Sequence, residues 1–257
     1  MIPPTSIDGT DITGATIDGT DVQEITVDGD VVFSAQTLPV AYSNLRSWYP
    51  FDATEYGGAN TDDVTAIIGG SGDDTAHDAS ADGITHGASS GVTDINAGAS
   101  SGGYIFDGSG TNHLDFPDKL QLSGDCSINY WMRVDSITGD MYGVYTRTPK
   151  AFVNRVQNSE VVFTDFSNLN FTVDTSDGLD TDWHMYTFAN DGNEVRCYFD
   201  ASLIGTHTGS INSASGPDYI GQHPTVDDNR LDGQVDDVRS YNKQLSASEV
   251  SQIYTNT

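Results

Sequence analysis

Apolar and polar residues alternate with period two through much of the second half of the chain, the signature of half-buried strands. The pattern predicts strands at 126–132, 141–146, 151–156, 160–166 and 169–173, then at 195–199 and 235–241. Alternation places Cys126 with Ile128 and Tyr130, and Cys197 with Val195 and Phe199, on inward faces. One stretch has helical spacing instead: Leu245, Val250, Ile253 and Tyr254 form an apolar side, and Ser246 with Glu249 three residues on makes a capping box. Near the other end, Ile7-Asp-Gly-Thr-Asp-Ile, Ile17-Asp-Gly-Thr-Asp-Val and Val27-Asp-Gly-Asp-Val-Val recur at a spacing of ten. Asp-Gly favours tight turns, because Gly accepts positive φ and Asp tolerates it. These units predict short strands at 12–17, 22–27 and 31–33 in a small meander, which buries too little to be stable alone. Residues 34–44 read as a linker, and 57–102, rich in Gly, Ser, Ala and Asp, as long loops. The expected architecture is all-β: an arm over residues 1–36, then a sandwich or barrel over 41–257 with a short C-terminal helix.

Charge adds an environment to this picture. The formal net charge is −28, with 38 acids against 10 Lys and Arg. Only five of the acids are Glu, so most are Asp, a residue of turns and caps. They are spread along the chain instead of gathering in ligand loops, which points to a high-salt milieu, where screening removes self-repulsion. A calcium-rich extracellular setting is the competing reading. With no basic patch to meet phosphates, nucleic acid is not an expected partner. No apolar run reaches the length of a membrane span, so membrane insertion is not expected. Residues 1–6 lack the basic and apolar regions of a secretory leader. An extracellular role then calls for another route out, such as release in a virus particle. The two cysteines, Cys126 and Cys197, are expected to be buried free thiols.

Several motifs fall in a recognisable order. Leu45-Arg-Ser-Trp-Tyr-Pro-Phe-Asp52 opens the series, followed by Tyr104-Ile-Phe-Asp-Gly108 and by Ser127-Ile-Asn-Tyr-Trp131. Trp183-His184, Val195-Arg-Cys-Tyr-Phe-Asp-Ala201 and Asp218-Tyr-Ile-Gly221 come next. Val235-Asp-Asp-Val-Arg-Ser-Tyr241 and Leu245-Ser-Ala-Ser-Glu-Val250 close it. Together they resemble a laminin-G-like domain of the concanavalin A-like lectin/glucanase superfamily, with Ala201 standing where that family usually has Gly. The resemblance implies a jelly-roll sandwich. It also implies a structural Ca²⁺ held by Asp236, with the backbone around Asp52 and Gly108 as partners. The alternative for Asp236 is a pairing with Arg239 or a turn cap. The Asp-Gly repeat, for its part, is similar to short β-repeats at the N-termini of tailed-virus structural proteins.

Catalysis finds little support in the residues. Glycosidases of this superfamily carry paired carboxylates on one strand, aimed at one face. No Glu-x-Asp-x-Glu run exists here, and Asp236 and Asp237, being adjacent, are expected on opposite faces of their strand. His184 is expected to pack. Trp48, Tyr142, Tyr145, Tyr198 and Tyr219 are the aromatics that could stack a sugar, although burial is the default for each. The expected function is therefore a non-enzymatic virion component of a virus with a halophilic host: a capsid decoration, spike or tail fibre. Residues 1–36 would bind other virion proteins and support a homo-oligomer, while the sandwich would touch host surface glycans. The alternative is a cellular carbohydrate-binding protein of a halophile.

Overall fold

The computed structural model describes residues 44, 105–108, 113–114, 125–144, 153–209, 218–222 and 229–255 in full, together with the backbone pairing of the strands named below. In the arm, β1 (Ser6–Ile7) pairs with β2 (Thr10–Asp11), β3 (Thr16–Ile17) with β4 (Thr20–Asp21), and β5 (Glu24–Val27) with β6 (Asp30–Ser34). Ile7 faces Thr10, Ile17 faces Thr20 and Val27 faces Asp30, so one Asp-Gly pair of the sequence falls between the two strands of each sheet. The result is three separate two-stranded sheets, where the sequence predicted one meander. A meander needs one strand to serve two turns, and these strands pair only across their own.

The sandwich strands follow in chain order: β7 (Leu45–Tyr49), β8 (Asp63–Val64), β9 (Ala79–Asp82), β10 (Thr85–Gly87), β11 (Gly103–Asp107), β12 (His113–Phe116), β13 (Cys126–Val134) and β14 (Asp140–Thr146). After them come β15 (Phe152–Gln157), β16 (Glu160–Thr164), β17 (Asn170–Val173), β18 (His184–Asn190), β19 (Glu194–Phe199), β20 (Ser202–Thr208), β21 (Asp218–Ile220) and β22 (Asp232–Tyr241), then helix α1 (Ala247–Asn256). One antiparallel sheet runs β10-β11-β22-β13-β18-β19-β20, with β7 also on β22. The other runs β17-β16-β15-β14-β21-β12-β9-β8. Long-range pairs such as β13 on β22 make this a jelly roll and not a ladder of hairpins.

The core lies between the sheets. Ile128, Tyr130, Tyr186, Phe188, Cys197 and Phe199 enter from the first, and Val144, Val156, Val161 and Phe163 from the second. Tyr130 stacks on Tyr186 at 5.6 Å, and Phe163 of the facing sheet meets Tyr186 at 6.1 Å. The sheets also meet at one margin, where a Cβ on Gly205 would lie 2.3 Å from the Phe171 ring, so only glycine fits. Both cysteines are buried free thiols. They sit on β13 and β19 with β18 between, so their backbones are about 9–10 Å apart, too far for a disulfide.

Outside the first sheet, α1 covers a second cluster: Leu245, Val250 and Ile253 pack on Trp131, Met185, Tyr198 and Tyr241. The capping box forms as the sequence predicted. Glu249 accepts from the Ser246 N–H at 2.9 Å, and the Glu249 N–H donates to Ser246 Oγ at 3.3 Å. Ser127 Oγ accepts from the Leu245 N–H and donates to the Lys243 carbonyl, both at 2.8 Å, which pins the segment to β13. No helix among the described residues is long and apolar enough to cross a membrane.

Candidate functional site

The outward face of the second sheet, around β14–β16, gathers polar and aromatic side chains in a way the core does not explain. On β15 alternation sends Val156 inward, leaving Val153, Arg155 and Gln157 on the far side. On β16 Val161 and Phe163 go inward, leaving Val162 and Thr164 outward. Register then aligns Tyr142, Arg155 and Val162 in one row and Val153 with Thr164 in the next. Tyr142, Val153, Val162 and Thr164 are all buried although they lie outside the main core, so this face is recessed.

Arg155 and Phe166 rise above that floor. Arg155 donates to the Gln157 side-chain carbonyl, and its guanidinium lies 4.0 Å from the Asp140 carboxylate. The other Asp140 oxygen accepts from Asn229 Nδ2 at 3.2 Å, and the Asn229 carbonyl accepts from the Tyr142 N–H at 3.0 Å. The Arg155 carbon also sits 5.7 Å from the centre of the Phe166 ring, a cation–π distance.

Phe166 itself is 49% exposed and adopts φ +59, the left-handed region a phenylalanine seldom visits. Its loop is held from below. Thr164 Oγ1 accepts from the Phe166 N–H at 2.8 Å. Buried Asp165 accepts from the backbone N–H groups of Ser167, Asn168 and Leu169 at 2.9, 2.7 and 2.8 Å. This nest ends β16 at Thr164, where the sequence predicted a strand through 166. The arrangement offers a fixed aromatic face, a planar cation, a carboxylate and two amides within one patch. That set suits a polyhydroxylated ring: apolar C–H groups on the phenyl face and hydroxyls among the donors and acceptors.

The residues picked out from sequence are distributed otherwise. Asp236 is buried on β22 opposite Trp131, and its carboxylate accepts from the Asp237 N–H at 2.8 Å. Gly108, at φ +68, follows β11 and donates its N–H to the Leu231 carbonyl at 3.0 Å. Leu231 is five positions before Asp236, a separation on the order of 16 Å along the strand. Calcium needs its oxygens at about 2.3–2.6 Å, so Asp236 and Gly108 do not share a coordination sphere. Asp52 lies outside the described residues. Among the described residues no three His, Cys, Asp or Glu side chains converge to hold a metal. The fit to a structural Ca²⁺ therefore fails for the pair that can be placed. Gly108 instead neighbours Asp232, whose carboxyl is pushed up by burial and by the charges of Asp135 and Asp107.

Nor do Asp236 and Asp237 follow strict alternation. Val235 and Val238, three apart, both enter the core, and the register with β13 slips by one residue there. Asp237, at φ +50, takes up the extra residue of a β-bulge. Its carboxylate grips buried Arg239 through contacts of 3.0 and 2.8 Å.

His184 packs, as expected, and does more. Its Nδ1 lies 2.7 Å from Asp200 and its Nε2 3.2 Å from Asp180, while the ring centre is 4.6 Å from that of Phe199. Asp200 also accepts from the Met185 N–H at 2.8 Å. Burial opposes protonation of the imidazole, but Asp200 and then Asp180 outweigh it and hold the pKa above its ordinary value. Of the aromatics picked out for stacking, Tyr142 floors the recessed face, Tyr198 is buried under α1, and Tyr219 packs on His113 at 5.3 Å. The side chains of Trp48 and Tyr145 lie outside the described residues.

Comparison with known proteins agrees with this architecture. A family described as the concanavalin A-like lectin/glucanases superfamily matches residues 107–251. No curated protein sequence matches the chain. Among solved structures, domain 4 of AbnA, an extracellular GH43 arabinanase of Geobacillus stearothermophilus solved with arabinotriose, aligns with TM-score 0.52 at 15% identity, covering 82% of this chain and 98% of that domain. The binding domain of Paraclostridial Mosquitocidal Protein 1 aligns with TM-score 0.57 at 14% identity, over 83% of this chain and 52% of the other. The botulinum neurotoxin serotype D binding domain aligns with TM-score 0.53 at 11% identity, over 84% and 53%. The chain thus spans about half the length of these toxin binding domains.

Proposed function

Since the chain belongs to the concanavalin A-like lectin/glucanase superfamily, we propose that it is a non-enzymatic virion component, a capsid decoration, spike or tail fibre, of a virus whose host lives in high salt, and that its sandwich recognises host surface glycans. The observation that carries the recognition reading is the outward patch of Asp140, Arg155 and Phe166, which projects binding chemistry away from the core. A lectin-like fold gives that patch a rigid base, and the arabinanase domain solved with a bound sugar is of like fold. The virion reading draws on different features. Three hairpins in residues 1–36 are too small to be stable unaided, so they serve best as an arm docked on other virion proteins or on further copies of the chain. The net charge of −28 suits molar salt, where repulsion is screened within a few ångströms.

Two measurements test this. A glycan array probed in molar KCl should show the full chain retained on defined sugars, and an empty array would end the recognition reading. Deleting residues 1–36 should abolish incorporation into particles while leaving array binding intact. A truncated chain that still assembles would exclude the anchoring role, whereas a full-length chain absent from particles would make a cellular lectin of the same host the better account.

A further inference from the structure

We propose that the patch built on Phe166 is a binding site for neutral sugars, with a pyranose stacked on the exposed phenyl ring and neighbouring hydroxyls bridging Arg155 and Asp140. This rests on the glycan-recognition reading and adds a site and a ligand class to it. Three observations converge. First, Phe166 is large, apolar and half exposed, and it is held there instead of drifting: one hydrogen bond from its own N–H and three into Asp165 fix the loop. Leu203 and Tyr254 are the other large apolar side chains exposed among the described residues, and Tyr254 is stacked on Trp131 at 5.6 Å. Second, Phe166 occupies a left-handed backbone position at φ +59 that glycine would fill without strain. The exposed half of the phenyl gains nothing from burial, and strained positions of this kind gather at binding sites. Third, the donors and acceptors stand beside the ring: Arg155 at 5.7 Å from its centre, with Asp140 and Gln157 in reach of the same guanidinium.

Charge decides the ligand class. The Arg155 cation is already met by Asp140, so the patch carries no surplus positive charge for a carboxylate or sulfate. The chain around it has a net charge of −28, which repels anionic sugars further as salt is lowered. A neutral diol asks for one donor and one acceptor side by side, and the Arg155 guanidinium and the Asp140 carboxylate stand 4.0 Å apart.

The test uses the full-length protein and Phe166→Gly. Glycine suits φ +59, so this variant should melt at or above the wild-type temperature while its affinity for neutral sugars falls at least tenfold. Phe166→Trp should keep the affinity within about threefold, since an indole stacks as well as a phenyl. The probes are a panel of neutral methyl pyranosides and the matching uronates, titrated in about 3 M and about 1 M KCl. Binding of neutral sugars that disappears in Phe166→Gly, with a melting point that does not fall, supports the site. Sugar binding that survives Phe166→Gly overturns the site while leaving glycan recognition standing. Tighter binding of the uronates overturns the ligand class. Failure of the wild-type chain to bind any sugar overturns both the site and the reading beneath it.

Discussion

The most informative perturbation of the fold is Arg239→Met. Arg239 is 1% exposed and Asp237 2%, and the guanidinium holds the carboxylate through two contacts of 3.0 and 2.8 Å. Burial works against the charged guanidinium, but Asp237 and then Tyr241 outweigh it and keep Arg239 protonated. Removing the cation leaves Asp237 buried beside Asp236, which is also buried. Breaking a buried pair from one side costs about 3–5 kcal/mol. At roughly 2–4 °C per kcal/mol for a domain of this size, the midpoint should fall by about 6–20 °C. The pair is out of reach of solvent ions, so the loss should be nearly equal in about 1 M and about 3 M KCl. The double variant Arg239→Met with Asp237→Asn isolates the cause. Asparagine tolerates the left-handed backbone at φ +50 and removes the stranded charge. It should recover about 2 kcal/mol or more of the loss. Thermal melts followed by tryptophan fluorescence give all the midpoints needed. A double variant less stable than Arg239→Met alone would refute the reasoning, because it would make the carboxylate useful without its cation.

Three further outcomes are expected. His184 has a folded pKa above its ordinary 6.5, so its clasp to Asp200 and Asp180 contributes fully below pH 6.5 and is lost as pH rises through the folded value. The gap in melting temperature between wild type and His184→Gln should accordingly shrink from pH 5.5 to pH 8.5, and a gap that widens would contradict the clasp. Ala201 sits at φ +61 in the turn joining β19 and β20, and Ala201→Gly should raise stability by about 0.5–1 kcal/mol in a denaturant titration, with destabilisation counting against backbone strain there. Because Asp236 and Gly108 stand apart, Asp236→Asn should shift the melting point equally in calcium and in chelator, and a calcium-dependent difference would restore the metal site.

Much of the fold was legible because burial dictates alternation. Cys126, Ile128 and Tyr130 share a face in the sequence and share the core in the structure, as do Val195, Cys197 and Phe199. The C-terminal helix was legible for a different reason: the Ser246–Glu249 box is local, and local hydrogen bonds leave a local signature. The bulge at Asp237 was not. An added residue changes no hydrophobic count, and its effect, placing Val235 and Val238 on one side, depends on pairing with a strand about a hundred residues away. The separation of Gly108 from Asp236 was hidden likewise, since it rests on the register between β11 and β22. Motif order shows which strands exist, but it does not fix how far along its partner each residue falls.

Phe166 was missed for a more instructive reason. Val161, Phe163 and Phe166 look like one apolar run, and the run was read as strand to its end. Yet Asp165-Phe-Ser-Asn168 also carries a turn signal, an aspartate able to accept from the N–H groups two and three residues on. Asp165 does this, adds the N–H of Leu169, and so stops β16. Elsewhere in this hairpin Val161 and Phe163 fill the core, and Asn158 and Ser159, both at positive φ, make its tight turn. Phe166 alone is exposed where apolar residues gain by burial and left-handed where bulky residues lose by it, at a cost of about 1–2 kcal/mol. Where the local rules and the fold agree, a residue is explained by stability. Where a residue breaks two of them at once, beside a cation and a carboxylate that also face outward, the pattern is the one a binding site leaves, and it is what supports the sugar site proposed above.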